Sequence, residues 1–359
     1  MRLPETEQPT PWLAVTMKSG SRRRLATRVA CGLGAGVLGL GVLSACGSSA
    51  SSAAAKSSSS QHVGIAYSII AADTGITWGM QSGGFLKKNG LDASETYIAS
   101  STAVDALLSG QVQFAQVGGS DVVNAAASGG KLTIIANVAP VHGYLLMVPK
   151  SITKASQLVG KKVGISGPGT TSDIQTRIAL ADLGVNPSKV GYVTTSSSSN
   201  RVAALKAGAL DGAALDIGDA LTLESDGFHS LINLGQHKAP GADTVIAVTD
   251  SYLASHKAVV QKFIDALVET IAYERTHKSF TEGLYTKDAK VVGQAVLNAT
   301  YDDQFQQVLL SNYPDVRTSQ FESDLAIMRS ENPKLDKVNV SSLLDNSFVA
   351  AAAAKHLSG

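Results

Sequence analysis

The 359-residue chain is long enough for about two domains. With 44% hydrophobic and 16% charged residues it has the composition of a globular protein with a sizeable core. The formal net charge of +1 conceals an asymmetry: the first 46 residues hold six of the 30 Lys/Arg and two of the 29 Asp/Glu, leaving 24 basic and 27 acidic residues beyond them. A mildly acidic body with few aromatic residues and no basic run excludes nucleic acid as a partner.

The first element is a leader. Arg22-Arg23-Arg24 precedes an uncharged apolar stretch, Val29 to Ala45, which is the basic-then-apolar layout of a secretory signal and too glycine-rich for a membrane span. It closes on Leu43-Ser44-Ala45-Cys46, which resembles the bacterial lipobox, so residues 1–46 are expected to be a lipoprotein signal peptide with Cys46 as the lipidated residue. Ser21 to Leu25 also resembles a twin-arginine signal, and Met17 is a second candidate start, so export route and true start stay open. Eight of the fourteen residues 47–60 are serine, a tract that cannot pack a core and reads as a flexible tether. Gly34-Ala35-Gly36-Val37-Leu38-Gly39 is formally GxGxxG, but no strand precedes it, so it carries no dinucleotide reading. With Cys31 inside the leader, the body after Cys46 has no thiol.

From residue 62 short apolar runs alternate with amphipathic stretches. Strands are expected at 63–68, 91–99, 112–118 and 131–140, with helices reaching Lys88 and over 101–110 and 120–130. After a connecting segment, 143–151, the rhythm restarts, with strands at 161–167, 190–195, 211–216, 230–235 and 243–250 and helices over 170–184 and 200–208. This alternation predicts an α/β fold of mainly parallel sheets flanked by helices. The tail from Ser255 reads as helical. Val259, Val260, Phe263, Ile264, Leu267 and Ile271 form one apolar face, assigned to the core and to no function.

Four stretches carry a family resemblance: 83–94 (GGFLKKNGLDAS), 101–121 (STAVDALLSGQVQFAQVGGSD), 155–173 (ASQLVGKKVGISGPGTTSD), and 201–216 (RVAALKAGALDGAALD) followed by 249–268. In this order and spacing the chain resembles a type II periplasmic substrate-binding protein of an ABC importer. More narrowly it is similar to the sulfonate/taurine/nitrate-binding group, which is related to the thiamine-pyrimidine proteins. The resemblance covers about residues 62–275. It implies two α/β lobes, 61–145 with 250–359 and 146–249, joined by hinge crossings at 140–149 and 244–250, with a ligand between the lobes. It further implies a lipid-anchored monomer on the outer face of the cell membrane, partnered by a small-molecule ligand and an ABC permease.

Ligands of open α/β sheets bind beyond the carboxyl ends of the strands, where helix N-termini offer unpaired N–H groups. Three turns place small polar residues there: Ser100-Ser101-Thr102, Gly119-Ser120-Asp121 after Gly118, and Gly169-Thr170-Thr171-Ser172. Each residue alone also reads as an ordinary helix cap; three such turns in both lobes favour a cleft. The loop from Tyr67 and Ser68 to Asp73 and Thr74 is expected to complete the wall, with Tyr67 either a ligand contact or a half-buried strand residue. Trp78 is assigned to the core. His142 at the first crossing either donates to an oxyanion or is a hydrogen-bonded hinge residue, and Asp216 and Asp219 either meet a ligand amine or cap the next helix. No cation falls within the hydroxyl turns; Arg177 and Arg201 either reach inward or lie at the solvated surface, the surface being the expected place, which leaves a neutral or zwitterionic ligand beside an anionic one.

No catalytic constellation emerges. The seven histidines form no HExxH, Gly164-Ile165-Ser166-Gly167-Pro168 breaks GxSxG, and the Gly167–Asp173 turn lacks the Walker lysine. No cofactor, metal site or catalytic residue is therefore expected. The leading function is capture of a small organic solute, anionic or zwitterionic, for an ABC importer; the alternative is a secreted enzyme or ligand sensor with the same cleft.

Overall fold

Ten short strands rich in Val, Ile, Leu and Ala organise the chain: β1 (Gln61–Tyr67), β2 (Leu91–Tyr97), β3 (Phe114–Val117), β4 (Leu132–Val141), β5 (Leu145–Pro149), β6 (Lys162–Ile165), β7 (Gly191–Thr194), β8 (Gly212–Leu215), β9 (Phe228–Asn233) and β10 (Pro240–Thr249). The computed structural model describes residues 60–357. The expected signal segment, Cys46 and all but the last residue of the serine tract lie outside them. Two five-stranded sheets form, in the orders β2-β1-β3-β10-β4 and β7-β6-β8-β5-β9. In each sheet the three strands linked by helical crossovers pair in parallel. β10 pairs antiparallel with β3 and β4, and β5 antiparallel with β8 and β9. Four strands of each sheet thus run the same way. β5 and β10 are reversed because each is the first strand after a crossing and enters its sheet at the carboxyl edge of the others.

The crossings are 142–144, between β4 and β5, and 234–239, between β9 and β10. The first lies inside the expected 140–149, although most of that segment is β5, a strand of the second sheet. The second corrects the expected 244–250: residues 244–249 belong to β10 in the first sheet, whose ladder against β4 already starts at Pro240 opposite Val141, and Asp250 starts the helix after it. The apolar run from Ala242 to Val248 is long enough to fill the first lobe's sheet, and its nearly complete burial holds it there.

The first sheet is buried on both faces, as crossover helices require. Val63, Ile65 and Phe114 pack against helix Lys257–Thr276, whose predicted apolar face is buried throughout, with Phe114 stacked on Phe263 at 3.9 Å between ring centroids. Ala66, Ala115 and Val117 pack against helices Ser100–Leu108 and Gly119–Ala127 on the other face. The second sheet is likewise covered on its two sides. Helix Ile217–Ser225, expected only as the next helix that Asp216 could cap, follows β8 and is capped by Asp216, which accepts from the amides of Gly218 and Asp219 at 3.0 and 3.2 Å.

The tail reaches beyond its own lobe. Helix Gln294–Asp303 packs against helix Ile217–Ser225 of the second lobe, and helix Glu322–Glu331 against helix Thr171–Asp182. Tail residues therefore flank the interlobe space on two sides.

Candidate functional site

The carboxyl ends of the strands in both sheets face one another across the cleft, and the loops there lead into helix N-termini. Two chambers share the walls Ile69, Tyr144 and Thr171.

The first chamber is built of hydroxyl groups. Ser68, Tyr97, Ser166, Thr170, Ser172 and the run Ser196 to Ser199 line it, together with Asp121 and Arg201. Helices Gly119–Ala127, Thr171–Asp182 and Ser198–Lys206 start at it, so three positive dipole ends converge. Gly169 at φ +73° makes the turn into the second of these helices, a conformation that favours glycine. At Gly118 the lobes meet so closely that a Cβ would strike Thr171 Oγ1. In this wall lies Arg201, from the first turn of its helix and only 2% exposed. Its Nη1 donates to Ser166 Oγ at 2.7 Å, while Nε has no partner. No carboxylate lies within ion-pair distance of Arg201 among the described residues. Burial lowers its pKa, against the opposing effect of the nearby Tyr144, Asp216 and Asp219.

The expectation that Arg201 is solvated is thus overturned, and with it the absence of a cation from the cleft. The helix begins at Ser198 with Ser197 as its cap, two residues earlier than expected, and Arg201 lies on the same buried face as Leu205, four residues on. The serine run just before an isolated arginine was the available signal. Arg177 is different: it pairs with Asp173 at 2.7 Å and Glu331 at 2.8 Å and lies over the Tyr192 ring.

The second chamber is acidic. Asp73, Asp216, Asp243 and Asp303 line it together with Ala71, Ala139, Val141, Ile217 and Val308, and no Lys, Arg or His is among its described lining residues. Asp73 Oδ2 accepts from Thr244 Oγ1, but its Oδ1 has no partner, nor has Oδ1 of Asp303. Asp303 and Gln304 come from the tail, where helix Gln294–Asp303 widens into a π turn over Gln304–Val308. No local sequence pattern marks these two, because only the tail's return against helix Ile217–Ser225 brings them to the cleft. Burial, with Asp219 nearby, pushes Asp216 up to about 8, and burial pushes Asp303 up to about 7. Asp73 is raised by burial too.

Of the residues singled out from sequence, Ser68, Asp73, Asp121, Thr170, Thr171, Ser172 and Asp216 line one chamber or the other. Gly169, with Asp121 and Thr170, also borders a groove on the outer side of the cleft, where Asn124 Nδ2 donates to Gly169 O at 3.2 Å across the lobes. Asp121, pushed up to about 7 by burial, stands at the same boundary. Tyr67 packs edge-on against Trp78, 5.8 Å between centroids, and beside Tyr97; Tyr97 lines the hydroxyl chamber and Tyr67 does not. Thr74 is spent on the loop, donating to Ile69 O at 2.7 Å. Gly119 permits close packing on Ala242 and Phe321, and Ser120 is buried without lining either chamber. Ser100 and Ser101 open helix Ser100–Leu108, and Thr102 in its first turn is exposed.

His142 is fully buried and both its ring nitrogens are engaged. Nδ1 meets Asp243 Oδ1 at 2.7 Å, and Nε2 lies 3.2 Å from Asp324 Oδ1 and 3.1 Å from Ser323 Oγ. The two carboxylates raise its pKa well above the ordinary imidazole value against the effect of burial, so it is an imidazolium. Asp243 also accepts from Gly143 N and Gln175 Nε2, and Gln175 accepts from Tyr144 N. The arrangement ties the first crossing and β10 to helix Thr171–Asp182 of the second lobe and leaves no ring nitrogen for a ligand, which fits the hinge alternative.

No group of three or more His, Cys, Asp or Glu among the described residues is arranged to hold a metal ion. The arrangement can hold an anion at Arg201 and the helix ends, and can receive hydrogen-bond donors in the acidic chamber.

Over residues 77–278 the chain matches the model of the family described as NMT1/THI5 like. No curated protein matches it. Solved structures similar to it include the periplasmic aliphatic sulphonate binding protein of Escherichia coli (17% identity, 77% of this chain and 89% of that one, TM-score 0.61). The periplasmic nitrate-binding protein of Synechocystis PCC 6803 matches at 15% identity over 82% of this chain and 89% of that one, TM-score 0.68. The ligand-binding component of an ABC-type import system from Staphylococcus aureus, with zinc bound, matches at 14% identity over 81% and 99%, TM-score 0.68. At such identities the likeness is one of fold: two α/β lobes of the periplasmic-binding-protein type.

Proposed function

We propose, for a chain that belongs to the NMT1/THI5-like family, that it is an extracytoplasmic solute-binding protein. It captures a small organic anion between its lobes and delivers it to an ABC importer. The observation that carries the reading is Arg201, a guanidinium buried in the cleft with one serine for a partner and three helix N-termini beside it. A buried charge without a counterion is costly, and an oxyanion on the ligand would supply the missing acceptor. The named solutes of the structural neighbours are compatible with this but do not fix it here. Residues 1–46 support export and a lipid anchor at Cys46 through their basic-then-apolar layout and terminal Leu-Ser-Ala-Cys.

The mechanism is closure about the two crossings. Asn124 to Gly169 O, Thr171 Oγ1 to Asp243 O at 3.3 Å and Arg177 to Glu331 all link the lobes. A ligand touching both lobes stabilises this closed state by its differential affinity, and the permease reads that state.

The test is a thermal-shift panel of alkyl and aryl sulfonates, taurine, nitrate, aromatic acids, amino acids and thiamine-pyrimidine. A ligand at a thousandfold its Kd adds about 4 kcal/mol and raises Tm by several degrees. Arg201→Met is expected to weaken a responding anion by roughly 10–100-fold, the worth of a charge-assisted bond, while folding is undisturbed. An anion that binds Arg201→Met as tightly as the unaltered protein removes Arg201 from the site. Turnover of the bound solute would instead mark an enzyme.

A further inference from the structure

We propose that the solute is a zwitterion, an organic anion held at Arg201 whose ammonium group is received by Asp73, Asp216 and Asp303 in the adjoining chamber. This rests on the anion-binding reading above and adds the second end of the ligand.

The geometry is one of opposite charges on either side of a shared wall. Ile69, Tyr144 and Thr171 border both chambers, so a molecule lying along them reaches the hydroxyl chamber with one end and the acidic chamber with the other. The acidic chamber has a ligand-shaped deficit of its own. Asp73 is 9% exposed and Asp303 7%, and each keeps one carboxyl oxygen without any donor. Asp216 has one oxygen committed to two amides and the other 3.5 Å from Ser198 Oγ. Asp243 is already satisfied by His142, Gly143 and Gln175. Gln304, also unpartnered at its amide nitrogen, is neutral and balances none of this charge. Buried carboxyls lacking donors are matched by a group with several N–H donors and a positive charge, and the apolar lining of Ala71, Ala139, Val141, Ile217 and Val308 suits a short hydrocarbon stem between the ends.

Protonation follows from the same surroundings. Facing the three carboxyls are Asp219, Arg201 beyond Asp216, Asp243 with His142, and the phenols of Tyr144 and Tyr285, behind which Glu274 is buried. Both phenols are pushed above their ordinary range by burial and stay neutral at physiological pH. Asp216 and Asp303, raised by burial, carry protons near neutrality in the empty cleft. An ammonium favours their ionised forms, so binding the zwitterion releases protons to solvent and tightens as pH rises from 6 to 8. A ligand with only the anionic end gains nothing from this.

The experiment is titration calorimetry on the purified protein with matched pairs: taurine and ethanesulfonate, 3-aminopropanesulfonate and propanesulfonate, 4-aminobutyrate and butyrate. At least one amine is expected to bind tenfold or more tighter than its deaminated partner. Its enthalpy should differ between Tris and phosphate in the sense of proton release, and its advantage should widen toward pH 8. Asp73→Asn and Asp303→Asn should each shrink the ratio within the pair. The proton count on the unaltered protein stands even where a variant folds poorly. Equal binding within every pair, lost in Arg201→Met, overturns the zwitterion and leaves the anion reading intact. Binding of uncharged solutes with no response to any anion, aminated or not, overturns both.

Discussion

Two cations are buried near the interlobe space, and they are held in opposite ways. His142, at the first crossing, has a carboxylate on each ring nitrogen and a serine besides. Arg201, in the cleft wall, has one serine and an unpartnered Nε. Burial disfavours charge in both; at the hinge carboxylates pair directly with the ring, while in the cleft Asp216 and Asp219 act on Arg201 only from beyond ion-pair distance. A satisfied buried charge fixes structure, whereas an unsatisfied one at the mouth of three helices marks where something from outside is expected.

The sharpest break of that comparison is His142→Ala. It strands Asp243 and Asp324 without their cation, and removing one member of a buried ionic group costs about 3–5 kcal/mol. Chemical denaturation should show a loss of that order. A cost under about 1 kcal/mol would mean the ring is not the keystone of the crossing. Arg201→Met, by contrast, should leave stability level or raise it, since an uncompensated charge gives way to an apolar chain.

A second effect, smaller, follows from pH. His142 has a folded pKa raised above its unfolded value of about 6.5, so its contribution is full below that value and is lost as pH rises through the raised one. Glu274, buried without partners and pushed up to about 8, and Asp216 at about 8, work in the same sense. A carboxyl raised on folding stabilises the native state below its unfolded value and ceases to do so as pH rises through its folded one. Without ligand, Tm should therefore fall by several degrees between pH 6 and pH 9. A Tm that climbs over this interval would contradict these assignments. Glu274 is held in the core because helix Gly75–Ser82 comes so close that a Cβ on Gly79 would run into its carboxyl.

The smallest effect belongs to the hydroxyl wall. Thr171 spends its hydroxyl on Asp243 O across the lobes, and Thr170 spends its own on Gly167 O at 2.7 Å. Replacing both by Ala should weaken ligand binding by several-fold per lost bond, at about 1 kcal/mol each, with the fold intact. Unchanged affinity in calorimetry would show that these hydroxyls serve their turn and the lobe contact alone.

What was legible in the sequence was whatever depends on near neighbours. The alternation of apolar runs, the helix face from Val259 to Ile271 and the hydroxyl turns at strand ends all follow from periodicity and capping, which act over a few residues. Helix Ile217–Ser225 was foreshadowed only by the capping alternative for Asp216, which the structure bears out, and its extent was not assigned. The second crossing was placed too late because an apolar strand has the same appearance in either lobe, and only its pairing with β3 and β4 assigns β10 to the first.

The sequence by itself determined the α/β rhythm and seven of the residues that line the two chambers. Tertiary structure alone decided the charge of the cleft. Whether Arg201 turns inward or outward depends on which face its helix packs against the second lobe, the face it shares with Leu205. Asp303 and Gln304 reach the acidic chamber only because the tail doubles back about eighty residues beyond helix Ile217–Ser225 and packs upon it. Local rules carry no information over such separations; a charge buried without a partner becomes visible only when the surfaces around it have closed.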